Sequence, residues 1–312
     1  MKPMRKTFLT GLALAVLSTI ITPNVRADYS NTVASFNPLG YWRLSESVQP
    51  PPPDVATNLG SLGSTARGYY AGGSYHPAAG ALVGSADSAA SFDGASGIVA
   101  VPYSSKLSFS GPFTAEGWFN PGATTGSFAC PLSCGQFGAV RSGWLIYQSA
   151  TGWNFRMYNQ NAGNTSLSIT GGEAPVPGTW YHVAVVYTGT NASIYVNGVA
   201  TTGVPTGYVP NVNGALTIGK RSDYAFPFFG TVDEVAIYTN VLSAAEILAH
   251  YQNGTNAAPA TPYNQLVQGK NPIIYDRLNE PSYTAPDPST FPVTVNSGSL
   301  ANTADGLIYP EW

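Results

Sequence analysis

Charge is scarce in this 312-residue chain, where only 9% of residues are Asp, Glu, Lys or Arg. Basic charge is the scarcer sign. The first 27 residues hold four of the 13 Lys and Arg and none of the 16 acids, so the remainder carries a balance of −7. A chain so poor in cations lacks the electrostatic footprint of a nucleic-acid binder, and nucleic acid is excluded as an expected partner. Histidine is limited to His76, His182 and His250, and cysteine to Cys130 and Cys134. Two thiols without a neighbouring His or further Cys fall short of the four ligands of a structural zinc site, and their spacing is not the Cys-x-x-Cys of a redox motif. In an oxidising compartment the pair reads as a local disulfide staple, with unpaired thiols as the alternative. After the opening segment no run approaches the roughly 20 apolar residues of a spanning helix, so no membrane span is expected once that segment is removed.

The opening segment itself has the three parts of a secretory signal. Lys2, Arg5 and Lys6 precede an apolar core from Phe8 to Ile21, and Val25-Arg26-Ala27 supplies the small-residue cleavage site. Residues 1–27 are therefore expected to be a signal peptide, with the mature chain secreted or held at a cell surface.

What the chain has in quantity is glycine, proline and tyrosine, at 34, 25 and 19 residues, a composition of short strands joined by tight turns. Phe113–Phe119, Trp144–Tyr147, Trp153–Tyr158 and Trp180–Tyr187 are aromatic or β-branched runs bounded by Gly, Pro or Asn. In the third of these, Trp153, Phe155 and Met157 alternate with Asn154, Arg156 and Tyr158, the period of a strand with one buried face. Ser193–Val196 and Val199–Thr202 flank Asn197-Gly198, a pair that tolerates the positive φ angles of a two-residue hairpin. A single strong helix signal follows, in which Ser243 and Glu246 form a capping box ahead of Ile247, Leu248 and Tyr251. An Ala- and Pro-rich linker occupies 257–262.

Beyond the linker the sequence repeats itself. Asn37-Pro-Leu-Gly-Tyr-Trp-Arg-Leu-Ser-Glu46 returns 234 residues later as Asn271-Pro-Ile-Ile-Tyr-Asp-Arg-Leu-Asn-Glu280. After a four-residue shift, Asn58-Leu-Gly-Ser-Leu62 returns as Asn296-Ser-Gly-Ser-Leu300. Ordered matches of this kind indicate an internal repeat, so 28–256 is expected to be one module and 263–312 the start of a truncated second.

The residues Pro38-x-x-Tyr41-Trp-Arg-Leu, Ser91-Phe-Asp-Gly94, Phe113-Thr-Ala-Glu-Gly-Trp118, Trp180–Tyr187, Ile194-Tyr-Val-Asn-Gly198, Leu216-Thr-Ile-Gly219 and Gly230–Tyr238, taken in order, resemble the laminin-G-like jelly roll of the concanavalin A-like lectin and glucanase superfamily. The resemblance implies an all-β fold: two antiparallel sheets packed as a sandwich, with one short C-terminal helix and an incomplete second repeat. It leaves function to the site, because the fold serves sugar binders, adhesion modules, spacers and glycosidases alike.

Glycosidases of the superfamily resemble one another in a Glu-x-Asp-x-Glu strand. Here no Glu is followed two residues later by Asp, and Asp233 and Glu234, being adjacent, point to opposite faces of a regular strand. A non-catalytic recognition module is therefore expected. Its partner is a glycan or an extracellular protein, and the alternative is a spacer or protein-adhesion repeat of a larger surface protein. Sugar rings stack on aromatic faces while polar groups fix their hydroxyls, which makes Trp144, Tyr147, Arg156, Tyr158 and Tyr224 the candidate ligand residues. The resemblance also suggests a structural calcium ion, for which Asp93, Asp233 and Glu46 are the candidate ligands.

Overall fold

The computed structural model describes residues 29–45, 47, 50–122, 128–161 and 165–308. The expected signal, residues 1–27, and the candidate ligand Glu46 lie outside them.

Period-2 alternation sets the architecture. Strands β1 to β6 are Val55–Ala56, Gly68–Ala71, Ser74–Ala79, Ser88–Asp93, Ile98–Val101 and Phe113–Pro121. Strands β7 to β12 are Ala129–Phe137, Arg141–Ser149, Gly152–Tyr158, Thr165–Gly171, Tyr181–Tyr187 and Ala192–Val196. Strands β13 to β18 are Val199–Gly203, Leu216–Ile218, Phe229–Tyr238, Ile274–Asp276, Val293–Thr294 and Gly306–Leu307. One sheet has the order β1-β2-β5-β14-β7-β8-β9-β10, and a second has β13-β12-β11-β6-β15-β4-β3. Neighbouring strands in both are antiparallel, which establishes the all-β sandwich.

Side chains from the facing surfaces meet in one large core. On β8 and β9 these are Trp144, Ile146, Trp153, Phe155 and Met157; Phe113, Phe119, Val183, Val185 and Val235 oppose them from the second sheet. Leu145, Tyr147 and Tyr158, one residue out of phase, turn to the outer face of the first sheet. The turn at Asn197 and Gly198 has φ angles of 50° and 82°, as the expected hairpin requires.

Helix α1 is Tyr29–Ala34, and the capping box closes at the start of helix α2, Ala244–Gly254, with the Ser243 hydroxyl accepting from the Glu246 amide and the Glu246 carboxylate accepting from the Ser243 amide. Together with α3, Tyr263–Gln268, this helix covers the outer face of the second sheet, where Trp118, Tyr238, Ile247, Tyr263 and Val267 form a separate apolar cluster.

Two compact units result, one of residues 51–290 and a smaller one of 29–50 with 291–308. The large unit runs past the boundary expected at 256 because Ile274, Tyr275 and Leu278 are fully buried in it. Strand β16 pairs with β15 through Val235–Asp276 and Ile237–Ile274, end to end with β4 on the same edge. In the small unit Trp42 bridges to Asn296, and β17 pairs with β18.

The expected disulfide is corrected by the structure: Cys130 and Cys134 are free thiols, both buried. They lie four residues apart on one strand, about 13 Å at strand rise, whereas a disulfide needs Cα atoms about 4.4–6.8 Å apart. A bulge between Ala129 and Leu132 also turns them to opposite faces, Cys134 into the inter-sheet core and Cys130 outward against Tyr147. Burial pushes both thiols up to about 12.

Candidate functional site

The outer face of β8, β9 and β10 carries a cleft of about 370 Å³ lined by Phe128, Ser149, Thr151, Asn154, Arg156, Ser168 and Thr170 among others. Register builds it: Arg156 lies opposite Ser168 and Asn154 opposite Thr170, so four polar side chains stand side by side on one face. The Asn154 amide donates to Ser168 Oγ at 3.3 Å and to Thr170 Oγ1 at 3.0 Å, and Arg156 Nη2 reaches Ser168 Oγ at 3.4 Å.

Aromatic rings hold the guanidinium in place. Its carbon lies 5.1 Å from the centroids of both Phe128 and Tyr147, and those two rings are themselves 4.8 Å apart. Contact with two ring faces restrains the guanidinium, whose Nη2 lies on Ser168. Arg156 Nε is buried without a hydrogen-bond partner among the described residues.

The same device recurs along the face. Arg221 stacks on Phe226 at 4.4 Å and on Phe137 at 4.9 Å, paired with Asp223 at 2.6 Å. Arg141 stands 5.9 Å over Tyr158.

Of the residues expected from sequence, Arg156 lines the cleft, whereas Tyr147 is buried against the Arg156 guanidinium and is not part of the lining. Tyr158 shares that sheet face but is fully buried against Phe137. Trp144 is corrected: with no exposed surface, it stacks on Phe113 in the inter-sheet core and offers no face to a ligand. Tyr224 is exposed in the loop before β15, with Lys220 Nζ 5.7 Å from its ring, and does not line the cleft.

A sequence model of the Concanavalin A-like lectin/glucanases superfamily, that of its laminin G group, matches residues 93–248, half of the chain. The chain belongs to this superfamily. No curated protein matches it in sequence. Among solved structures it is similar to domain 4 of AbnA, a GH43 extracellular arabinanase from Geobacillus stearothermophilus solved with arabinotriose, at 18% identity and a TM-score of 0.46, covering 64% of this chain and 98% of that one. The binding domain of Paraclostridial Mosquitocidal Protein 1 shares 15% identity at a TM-score of 0.45, over 64% of this chain and 52% of that chain, so the match spans about half of that domain. A pentraxin from Limulus polyphemus follows at 17% identity and 0.37, over 47% and 73%.

Among the described residues, Asp93 and Asp233, two of the three candidate calcium ligands, are not brought together. Asp93 closes a turn after β4: Oδ1 accepts from the Ala95, Ser96 and Gly97 amides at 2.8–2.9 Å and Oδ2 from the Ser96 hydroxyl. Those bonds, that from Gly97 foremost, hold its carboxyl down to about 2. Asp233 lies elsewhere, in a trio with Asp87 and Glu234 whose oxygens fall within 4.8 Å of one another.

Asp87 precedes β4 and Asp93 ends it, about 20 Å apart at strand rise. Asp233 and Glu234 reach the same side, against expectation, because Glu234 takes a φ of 53° at a bulge in β15.

Arg277 already supplies the positive charge there, donating to Glu234 at 2.9 Å and to Asp87. Burial opposes its charge, but Glu234 and Asp87 raise its pKa further. A calcium ion takes six to eight oxygens, and a carboxylate trio spanned by a guanidinium does not fit one.

Both remaining strand and helix histidines serve the fold of this superfamily member. Fully buried Glu116 accepts from His250 Nδ1 at 2.9 Å, His182 Nε2 at 3.1 Å and Tyr238. Burial raises the pKa of Glu116, yet His250 and His182 outweigh it and hold the carboxyl below its ordinary value. His76 bonds Asp54 at 3.0 Å.

Sequence reading missed Phe128, Ser168 and Thr170. A signal existed for the last two in Leu167-Ser168-Ile169-Thr170, which alternates apolar and hydroxyl residues at strand period. Phe128 carried none, because only the fold brings it over Tyr147.

Proposed function

We propose that this chain is an exported, non-catalytic carbohydrate-binding module whose ligand lies in the Arg156 cleft. The observation that carries the reading is the strip Asn154, Arg156, Ser168 and Thr170 beside the partly exposed Phe128 ring. Neutral hydroxyl and amide groups fix sugar hydroxyls by paired donor and acceptor bonds, and an aromatic edge next to them takes the apolar face of the ring. The preset guanidinium adds a planar donor at low ordering cost. Membership of a superfamily of lectins and glucanases agrees with a sugar ligand.

Binding rather than hydrolysis is supported by the cleft's chemistry. A glycosidase places two carboxyl groups across the scissile bond, and no Asp or Glu is among the described residues that line the cleft. Export follows from the charged, apolar and small-residue parts of 1–27.

A glycan-array screen of the chain beside an Arg156→Ala variant, each with and without calcium, tests this reading. Saturable signal on a sugar class, lost in the variant and indifferent to calcium, is the expected result. A blank array for the folded chain removes the reading and moves the face to protein adhesion.

A further inference from the structure

The two copies of the Asn-Pro-x-x-Tyr-x-Arg-Leu-x-Glu segment are crossed. Residues 271–280 dock on the Asn58 loop of the first copy, while 37–45 dock on the Asn296 loop of the second. Each docking uses the same bonds. Asn58 Oδ1 accepts from the Tyr275 and Gly60 amides at 2.9 and 2.7 Å, and Asn296 Oδ1 from the Tyr41 and Gly298 amides at 2.7 and 2.9 Å. The amide of Asn58 donates to the Ile273 carbonyl at 3.2 Å, and that of Asn296 to the Leu39 carbonyl at 3.3 Å. Ser61 bonds Pro272 and Leu59 bonds Tyr275, as Ser299 bonds Pro38 and Ser297 bonds Tyr41. Even the left-handed positions coincide, with φ of 54° and 58° at Asn271 and Leu278 against 50° and 51° at Asn37 and Leu44.

The two dockings differ in what surrounds them. Residues 271–280 fill a slot along β15, where Tyr275 donates to Glu234, Arg277 joins Glu234 to Asp87, Leu278 is buried, and Glu280 accepts from Thr57 and Tyr70. Residues 37–46 carry the same Tyr, Arg, Leu and Glu in sequence, but among the described residues no such slot surrounds 37–45. Leu39, Trp42 and Leu44 remain 69%, 44% and 72% exposed.

Asp276, the present occupant's counterpart of Trp42, is fully buried with both carboxyl oxygens unpartnered among the described residues. Trp42 instead donates its indole N–H to the Ala304 carbonyl at 2.9 Å, and the matching position of the first copy is Ala66. The eleven residues from 47 to 57 span up to about 36 Å when extended, enough for 37–46 to turn back on the Asn58 loop that follows it.

We propose that the β15 slot is an exchange site with two donors in this chain, and that residues 37–46 compete with 271–280 for it. One arrangement closes the module with its own opening segment, and the other with the opening segment of the copy that follows. This inference is independent of the sugar site.

Hydrogen exchange on the full chain carrying Arg277→Glu and Leu278→Asp tests it, since both changes disable the present occupant. The expected result is that amides 41–44 gain protection, 274–278 lose it, and β15 stays protected, at every protein concentration. If 274–278 open and 41–44 do not change, the exchange is refuted.

Should that variant fail to fold, a fluorescent peptide of residues 37–46 is titrated against the wild-type chain. Saturable binding displaced by a 271–280 peptide supports the exchange, and absence of binding overturns it.

Discussion

The guanidinium of Arg156 lies over the ring of Tyr147 at 5.1 Å, anchored to the sheet by stacking rather than by an acid. On the proposed reading, the donors that remain on the guanidinium serve the sugar. Arg156→Ala is expected to weaken sugar binding at least about tenfold, about 1.4 kcal/mol. Because the side chain is only half-buried, the folding free energy should fall by less than about 1 kcal/mol. Arg156→Lys keeps the charge but loses the planar fork, and should rescue little binding. Affinity titrations beside urea melts separate these effects; a full rescue by lysine would show that charge alone matters.

Trp144 tests the other side of the same sheet. It packs on Phe113 at 5.5 Å between centroids, fully buried. Trp144→Ala should cost about 3–5 kcal/mol by transfer and cavity effects, read from the shift of the denaturation midpoint. Any binding loss should vanish under conditions where the variant is folded.

The thiols make a third test. With Cys130 and Cys134 buried, unpaired and titrating near 12, a thiol reagent at pH 8 should find almost no reactive group in the native chain and two after denaturation without reductant. Zero thiols after denaturation would restore the disulfide.

Stability should fall as pH rises from 5 to 8. Burial raises the carboxyl pKa values of Asp233, Glu234 and Asp276, so the folded chain keeps protons that the unfolded chain, with ordinary values near about 4, releases. His250 adds to the trend: burial opposes its charge, Glu116 outweighs burial, and its contribution is present below about 6.5 and lost as pH rises through its raised value. Glu116 is depressed, so its contribution is lost only in stronger acid. Thermal melts across this range should show the slope, and Asp276→Asn should flatten it. An unchanged slope in that variant would exclude Asp276 as a source.

How much of this was readable in the sequence follows from range. Local patterns carried their own answers: Trp153-x-Phe155-x-Met157 faced the core, Asn197-Gly198 turned, and Ser243 and Glu246 capped a helix. The features that failed depend on contacts made elsewhere in the chain. Trp144 could not be distinguished from a surface aromatic, because its burial is decided by Phe113 across the sandwich. The Cys130 and Cys134 spacing suggested a staple only until a strand held them apart. Asp233 and Glu234 came together through one residue at positive φ, invisible in composition. The cleft itself joins Phe128 to β9 and β10 and exists only after folding.

The most direct test of the sugar-binding account is a calorimetric titration of the strongest array glycan into the wild-type chain and into the Asn154→Ala/Ser168→Ala variant. Saturable binding by the wild type, weakened at least about tenfold in a variant that melts normally, is the result expected if the strip of Asn154, Arg156, Ser168 and Thr170 holds the ligand. Equal affinity in both chains would contradict it and place the sugar elsewhere on the sandwich.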